Sequence, residues 1–230
     1  KECFSSFCWL QTFLPITDLN PGVLKMVIFG IDLVLLISAL MISATPVLLA
    51  AIGEAVVEKS GVLNLGVEGM MITGAVIGFI FAVNTQTPIY GFICAAIAGA
   101  LLSVLFAVLT QYIMSNQVAT GLGLTMVGLG LSALIGKPYE GIKSPTLSKI
   151  EIPILSDIPI LGPMIFSHDA IVYFSVILVA TVAFVISKTR IGLVLRAVGE
   201  NQEAAHALGY KVVRIRFLAI MFGGATAGIG

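Results

Sequence analysis

Long apolar stretches separated by short polar breaks run through the chain. From residue 69 to residue 136 no Asp, Glu, Lys or Arg interrupts the sequence. About 20 apolar residues in a helix cross a hydrocarbon core about 30 Å thick, so this stretch holds three crossings. Two polar clusters divide it. Asn84-Thr85-Gln86-Thr87-Pro88 is a turn signal, because proline lacks an N–H and turns the residue before it away from helix. Ser115-Asn116-Gln117 is the second break. The predicted spans are Val67 to Val83, Ile89 to Met114 and Val118 to Gly136. The uncharged runs between Asp32 and Glu54 and between Asp169 and Lys188 predict two more. The run Phe217 to Gly230 is too short for a full crossing and reads as a truncated sixth, so the chain is expected to be a fragment.

A backbone in lipid must satisfy its own hydrogen bonds, which leaves helices or a closed barrel. These runs are too long for barrel strands of about 9–11 residues. The expected fold is therefore all-α: a polytopic transmembrane helical bundle with five complete spans and a truncated sixth. The 24 glycines agree with it. Gly74-x-x-x-Gly78 and Gly224-x-x-x-Gly228 put small residues on one helix face, where backbones approach closely; a role in a substrate path is the alternative.

Composition sharpens this. Only 10% of the 230 residues are charged, 58% are apolar and the mean hydropathy is +1.09, against about 25% charged in soluble domains. Twelve Lys and Arg balance twelve Asp and Glu, so the basic excess that nucleic-acid binding demands is missing. Cys3, Cys8 and Cys94 form no CxxC pair, and His168 and His206 have no second His at helical spacing. No metal site is expected. Gly128-x-Gly130-x-x-Ala133 matches a dinucleotide fingerprint only in letters, since no strand precedes it. The stretch from Gly130 to Lys137 is one residue too long for a phosphate loop, and Pro138 stands where Ser or Thr is needed.

Half of the basic residues, including every arginine, fall between Lys188 and Arg216. Such density marks a cytoplasmic loop. Parity then puts residues 137–169 outside, Glu54 to Gly66 inside and the N-terminus outside. The outer segment 137–169 carries Pro138, Pro145, Pro153, Pro159 and Pro163, which forbid a long helix. It is either a cap that receives a substrate-delivering partner or a structural linker. Residues 1–26 form an N-terminal extension outside the spans. Its apolar stretch Phe4 to Leu14 is too short to cross, and no cleavage site of the signal-peptide kind follows it.

Within the inner loop, Glu200 to Leu208 has acidic residues in its first turn, helix formers within it and Gly209 placed to end it in a left-handed conformation. Ala204, Ala205 and Leu208 are expected to share a small apolar face. So short a helix is unstable alone. It either lies against the membrane or docks a cytoplasmic subunit. In the turn entering the second span, Gly61, Gly66 and Gly69 flank Asn64 and Glu68. Unwound backbone and a carboxylate at this depth need protein or water partners, so Glu68 is expected to line a polar cavity or brace a bend. Asn116, Gln117 and Thr120 are weaker candidates of the same kind.

Glu203-Ala204-Ala205-x-x-x-Gly209 resembles the cytoplasmic coupling motif of ABC importer permeases. The wider run Leu195-Arg196-Ala197-Val198-Gly199-Glu200-Asn201 before it is similar to the form found in permeases for sugars, branched-chain amino acids and nucleosides. A second block, Ala50-Ala51-Ile52-Gly53-Glu54 through Glu58-Lys59-Ser60-Gly61-Val62-Leu63-Asn64-Leu65-Gly66-Val67-Glu68-Gly69-Met70-Met71, is similar to the nucleoside and simple-sugar branch. The resemblance covers about Asp32 to Gly230. Gln202 departs from it, standing where the family often has Pro.

The resemblance implies a permease domain over residues 27–230, truncated at its C-terminus, with a coupling loop at 188–216. It implies a permease subunit of an ATP-driven importer in a bacterial cytoplasmic membrane, with purine or related nucleosides as cargo. The implied partners are an ATPase subunit, a second permease subunit and an extracytoplasmic substrate-binding lipoprotein. ATP and magnesium would bind the ATPase, leaving this chain without cofactor or catalysis of its own. A pentose permease is the alternative cargo reading, and an ion-coupled secondary transporter is the alternative from another class. The latter needs ionisable residues within spans, and only Asp32 and Glu68 come near. A membrane-embedded enzyme would need a convergent catalytic set, which the sequence does not supply.

Overall fold

A computed structural model describes residues 27–28, 31–143 and 169–230. The expectations for residues 1–26 and for most of the 137–169 segment therefore lie outside the described residues. The chain divides into two compact units. In the first, the described residues are a pair of two-residue antiparallel strands, β1 (Val27–Ile28) and β2 (Ile31–Asp32), and the start of α1 (Leu33–Lys59) up to Leu40.

The second unit holds the remainder of α1 and a bundle of α2 (Val67–Thr85), α3 (Pro88–Ala107), α4 (Gln117–Gly136), α5 (Ala170–Lys188) and α8 (Val212–Ile229). Two shorter helices, α6 (Arg190–Glu200) and α7 (Gln202–Ala207), join α5 to α8. Six helices among the described residues are long and apolar enough to cross a membrane. The bundle is the one expected, with two differences at the ends. Helix α1 runs past Glu54 to Lys59. Helix α8 begins at Val212 rather than Phe217, taking Arg214 and Arg216 into its first turns, so the sixth apolar helix reaches 18 residues. A helix keeps its backbone bonds wherever its side chains find partners, so charge does not end one.

Pro88 occupies the first position of α3, where its missing N–H is harmless. At the other end α3 widens into a π-turn at Val108–Tyr112. Met114 then takes a positive φ of 59°, and Asn116 caps α4 by accepting from Val118 N at 2.9 Å and Ala119 N at 3.3 Å.

Helix α3 packs most extensively on α8 and α2, and α2 also lies against α4. Small residues make this possible. A Cβ added to Gly74 would lie 2.5 Å from the Gly228 carbonyl oxygen, and one on Gly78 would lie 3.0 Å from that of Gly91. Gly99 lies against Gly224 and Gly228 in the same way, and Gly53 of α1 against Gly223. The small-residue motifs of α2 and α8 are thus packing surfaces, as their spacing predicts. Val57, Met70, Phe106, Leu124 and Ile220 fill the core beside them. The opposite face of α3 exposes Ile89, Ile93, Ile97, Leu101 and Leu105, one residue per turn, a surface suited to lipid or another apolar partner.

Candidate functional site

Three connections meet at one end of the second unit: the α1–α2 turn, the entry to α4 and the α6–α7 loop. The first is unwound from Ser60 to Gly66, and side chains hold it. Asn64 is buried; its Oδ1 accepts from Gly66 N at 3.0 Å and its backbone N–H donates to Glu54 Oε1 at 3.1 Å. Leu63 N donates to Gln117 Oε1 at 2.9 Å, and Thr125 Oγ1 donates to the Leu65 carbonyl at 3.2 Å. Gly66 and Gly121 approach closely enough that a Cβ on Gly121 would lie 3.0 Å from Gly66 N.

Asn64, Gly66 and Gln117 are therefore brought together, and they brace a bend. Asn116 is a helix cap. Thr120 donates to the Asn116 carbonyl at 2.8 Å and pairs with Ser115 Oγ at 2.8 Å, so it ties the same turn to itself. Gly69 serves packing: a Cβ there would lie 2.7 Å from Thr125 Cα.

Glu68 is exposed in the first turn of α2, where a carboxylate complements the helix dipole, and its side chain is not among the groups named above that hold the turn. The carboxylate that holds the turn is Glu54, one helix earlier, whose second oxygen is buried without a hydrogen-bond partner among the described residues. From sequence, Glu54 ends a span and belongs to the block that resembles nucleoside and simple-sugar permeases, with no role of its own. The signal available was its position ten residues before Asn64, across a turn that has to close.

The expected helix from Glu200 to Leu208 is two elements. Thr189 caps α6 by accepting from Gly192 N at 3.3 Å, and Gly192, Leu195 and Val198 form its buried stripe. Glu200 is the last residue of α6 rather than the first turn of the next helix. Asn201 is extended and caps α7, its Oδ1 accepting from Ala204 N at 3.0 Å. A side-chain cap needs a non-helical residue at that position, which is why the helix breaks there. Gly209 takes a φ of 85°, as expected. Tyr210 N donates to the Ala205 carbonyl at 3.1 Å and Gly209 N to that of His206 at 2.9 Å, the paired bonds of a Schellman ending.

The apolar face also differs. Ala205 is 2% exposed, packed with Val198 and Val212, whereas Ala204 is exposed and Leu208 is 75% exposed. At 3.6 residues per turn the three positions lie within an arc of about 100°, and only Ala205, at one edge of it, faces Val198 and Val212. The outward surface is thus Glu203, Ala204 and Leu208, with Tyr210 also exposed.

The two sequence blocks touch. Gly199, near the end of α6, abuts the Lys59 carbonyl, and a Cβ on Gly61 would lie 3.0 Å from Gly199 Cα. Gly61 itself has a φ of 81°. Arg216 joins them, donating from Nε to the Ser60 carbonyl at 3.0 Å and from Nη1 to Gln202 Oε1 at 2.9 Å. Sequence reading counted Arg216 only as positive charge.

Among the described residues, the helices of this unit enclose two cavities of note. One of about 600 Å³ opens between α5, α6 and α8 and is almost wholly apolar, with Thr181 and Arg190 its polar members. The other, about 340 Å³, lies between α2 and α3 beside Gly228. Neither gathers the hydrogen-bonding groups that a polar solute needs.

Residues 36–230 match the family model described as branched-chain amino acid transport system / permease component. The chain belongs to this permease family. It is 36% identical over 197 residues to the putative glucose ABC transporter permease protein TsgC13 of Haloferax volcanii, covering 84% of this chain and 60% of that one. It is 34% identical over 212 residues to the guanosine ABC transporter permease protein NupQ of Bacillus subtilis, covering 85% and 65%. The nucleoside ABC transporter permease protein NupC of Lactococcus lactis is 31% identical over 207 residues, with the same coverage. The chain thus spans 60–65% of the length of these relatives. No solved structure matches it. Membership in the permease family, together with six apolar helices, makes this a multi-pass membrane protein.

Proposed function

We propose that this chain is part of the permease subunit of an ATP-driven importer in a bacterial cytoplasmic membrane, and that its cargo is a nucleoside. The observation that carries the reading is the meeting of the two blocks. The loop that resembles an ATPase-coupling element is fastened through Arg216 and Gly199 to the turn between α1 and α2. In this reading α7 presents Glu203, Ala204 and Leu208 to an ATPase subunit that binds ATP and magnesium. Closure of the ATPase pair displaces α7, and the packed helices alternate between inward-open and outward-open arrangements. A second permease subunit and a substrate-binding lipoprotein complete the importer. The chain itself performs no catalysis.

Similarity to permeases named for guanosine and nucleosides supports the cargo. A sugar is the second reading, favoured by the similarity to a permease named for glucose. Uptake of labelled guanosine and labelled glucose by cells carrying the whole importer separates them. Vanadate-sensitive guanosine uptake is expected, with no competition from glucose. Uptake of sugar alone would overturn the nucleoside assignment, and uptake indifferent to vanadate would overturn the ATP-driven mechanism.

A further inference from the structure

A guanidinium carries five N–H donors in a rigid fork, and from α8 Arg216 uses two of them to reach two other parts of the fold. From the second turn of α8 its Nε reaches the Ser60 carbonyl just beyond the end of α1, and its Nη1 reaches Gln202 in α7. Its Nη2 lies where a Cβ on Gly61 would come within 3.0 Å. A cation is favoured at the C-terminal end of α1, where carbonyls lack helical partners. Beyond Ser60 the unwound segment is gripped by other elements: Gln117 and Thr125 of α4 hold Leu63 and Leu65, and Glu54 of α1 holds Asn64. Segment 60–66 therefore has α7 at one end, through Arg216, and the α2–α4 pair at the other.

We propose that Arg216 is the positioning residue that transmits displacement of α7 to segment 60–66 and so to the packed pair α2 and α4. The inference rests on the reading that α7 docks an ATPase. Arg216 touches neither nucleotide nor cargo; it fixes how far α7 moves before the α1–α2 turn moves with it. Gln202, the departure from the family's usual residue, is then the second half of the link.

The test uses the whole importer in proteoliposomes, reading ATP hydrolysis and guanosine uptake together. Arg216→Gln is expected to keep hydrolysis while uptake per ATP falls about tenfold or more, the scale of losing a charge-assisted hydrogen bond. Arg216→Lys retains the charge but reaches one acceptor, and falls between Arg216→Gln and the unaltered importer. Gln202→Ala, an exposed substitution, lowers the ratio less, and adding it to Arg216→Gln has no further effect. An unchanged ratio in Arg216→Gln, or additive losses in the double variant, overturns the proposal. If Arg216→Gln does not assemble, the ratio in Gln202→Ala decides, and an unchanged value overturns it. An unaltered importer that lacks ATP-dependent uptake would refute the transport reading instead, and the two failures are distinct.

Discussion

Gly209 is the residue on which the end of α7 turns, and a graded series of substitutions there tests why. Its φ of 85° lies in the left-handed region, and an added Cβ would meet nothing within 4 Å. Any penalty is therefore conformational rather than steric. An L-residue in that region costs roughly 1–2 kcal/mol, a shift of about 5–30-fold in the population of the closed ending at about 1.4 kcal/mol per tenfold. Helix α7 has six residues and cannot absorb the loss through its own propensity. The Tyr210 amide, which donates to the Ala205 carbonyl, reports the ending directly by hydrogen exchange. Gly209→Ala is expected to lower its protection about 5–30-fold, Gly209→Asn less because Asn tolerates the left-handed region, and Gly209→Val more because of its β-branch. Association with the ATPase subunit should fall in the same order. Protection in Gly209→Ala equal to that of the unaltered chain, or Asn behaving worse than Ala, would refute the explanation.

Leu208→Asp changes a side chain that is 75% exposed, so thermal stability in detergent should stay within about 0.5 kcal/mol while co-purification of the ATPase subunit is lost. A charge at Ala205 tests something else: the residue is buried against Val198 and Val212, and Ala205→Glu should lower the melting temperature as well as uptake. Glu54→Ala leaves the buried Asn64 amide without its acceptor and is expected to destabilise by about 1–3 kcal/mol, whereas Glu54→Gln keeps an acceptor oxygen and should melt close to the unaltered protein. Gly69→Ala puts a Cβ 2.7 Å from Thr125 Cα. It should cost about 1–3 kcal/mol through overpacking of α2 on α4, read as a lowered melting temperature.

The spans were legible because lipid imposes a one-dimensional rule on sequence: apolar length and polar breaks suffice to place α2 to α5 within a few residues. The same rule misplaced the start of α8, since Arg216 is a charge that the fold satisfies inside a helix. Caps were partly readable. Gly209 announced its own conformation, but Asn201 looked like the interior of one helix until its side chain was seen to start a new one. What one dimension hides is pairing across distance. Glu54 with Asn64, Gln117 with Leu63 and Arg216 with both Ser60 and Gln202 are defined by proximity in the bundle. Glu68 drew attention as a charge beside glycines, while the buried carboxylate sat at the tail of a span where charge is ordinary.

The glycine contacts of α8 have a mechanical consequence. Where large side chains interdigitate, a helix moves along its neighbour only by lifting ridges out of grooves and changing rotamers. Gly223, Gly224 and Gly228 approach the backbone of Gly53, Gly99 and Gly74, with only the small side chains of Val57 and Ser103 seated over Gly223 and Gly224, so this part of the seam has few large teeth to disengage. It resists being prised apart, because close backbone contact is lost at once, but it yields to slip and small rotation. The helix that carries Arg216 near one end and is anchored by Ile220 in the core is thus mounted on a bearing from Gly223 to Gly228.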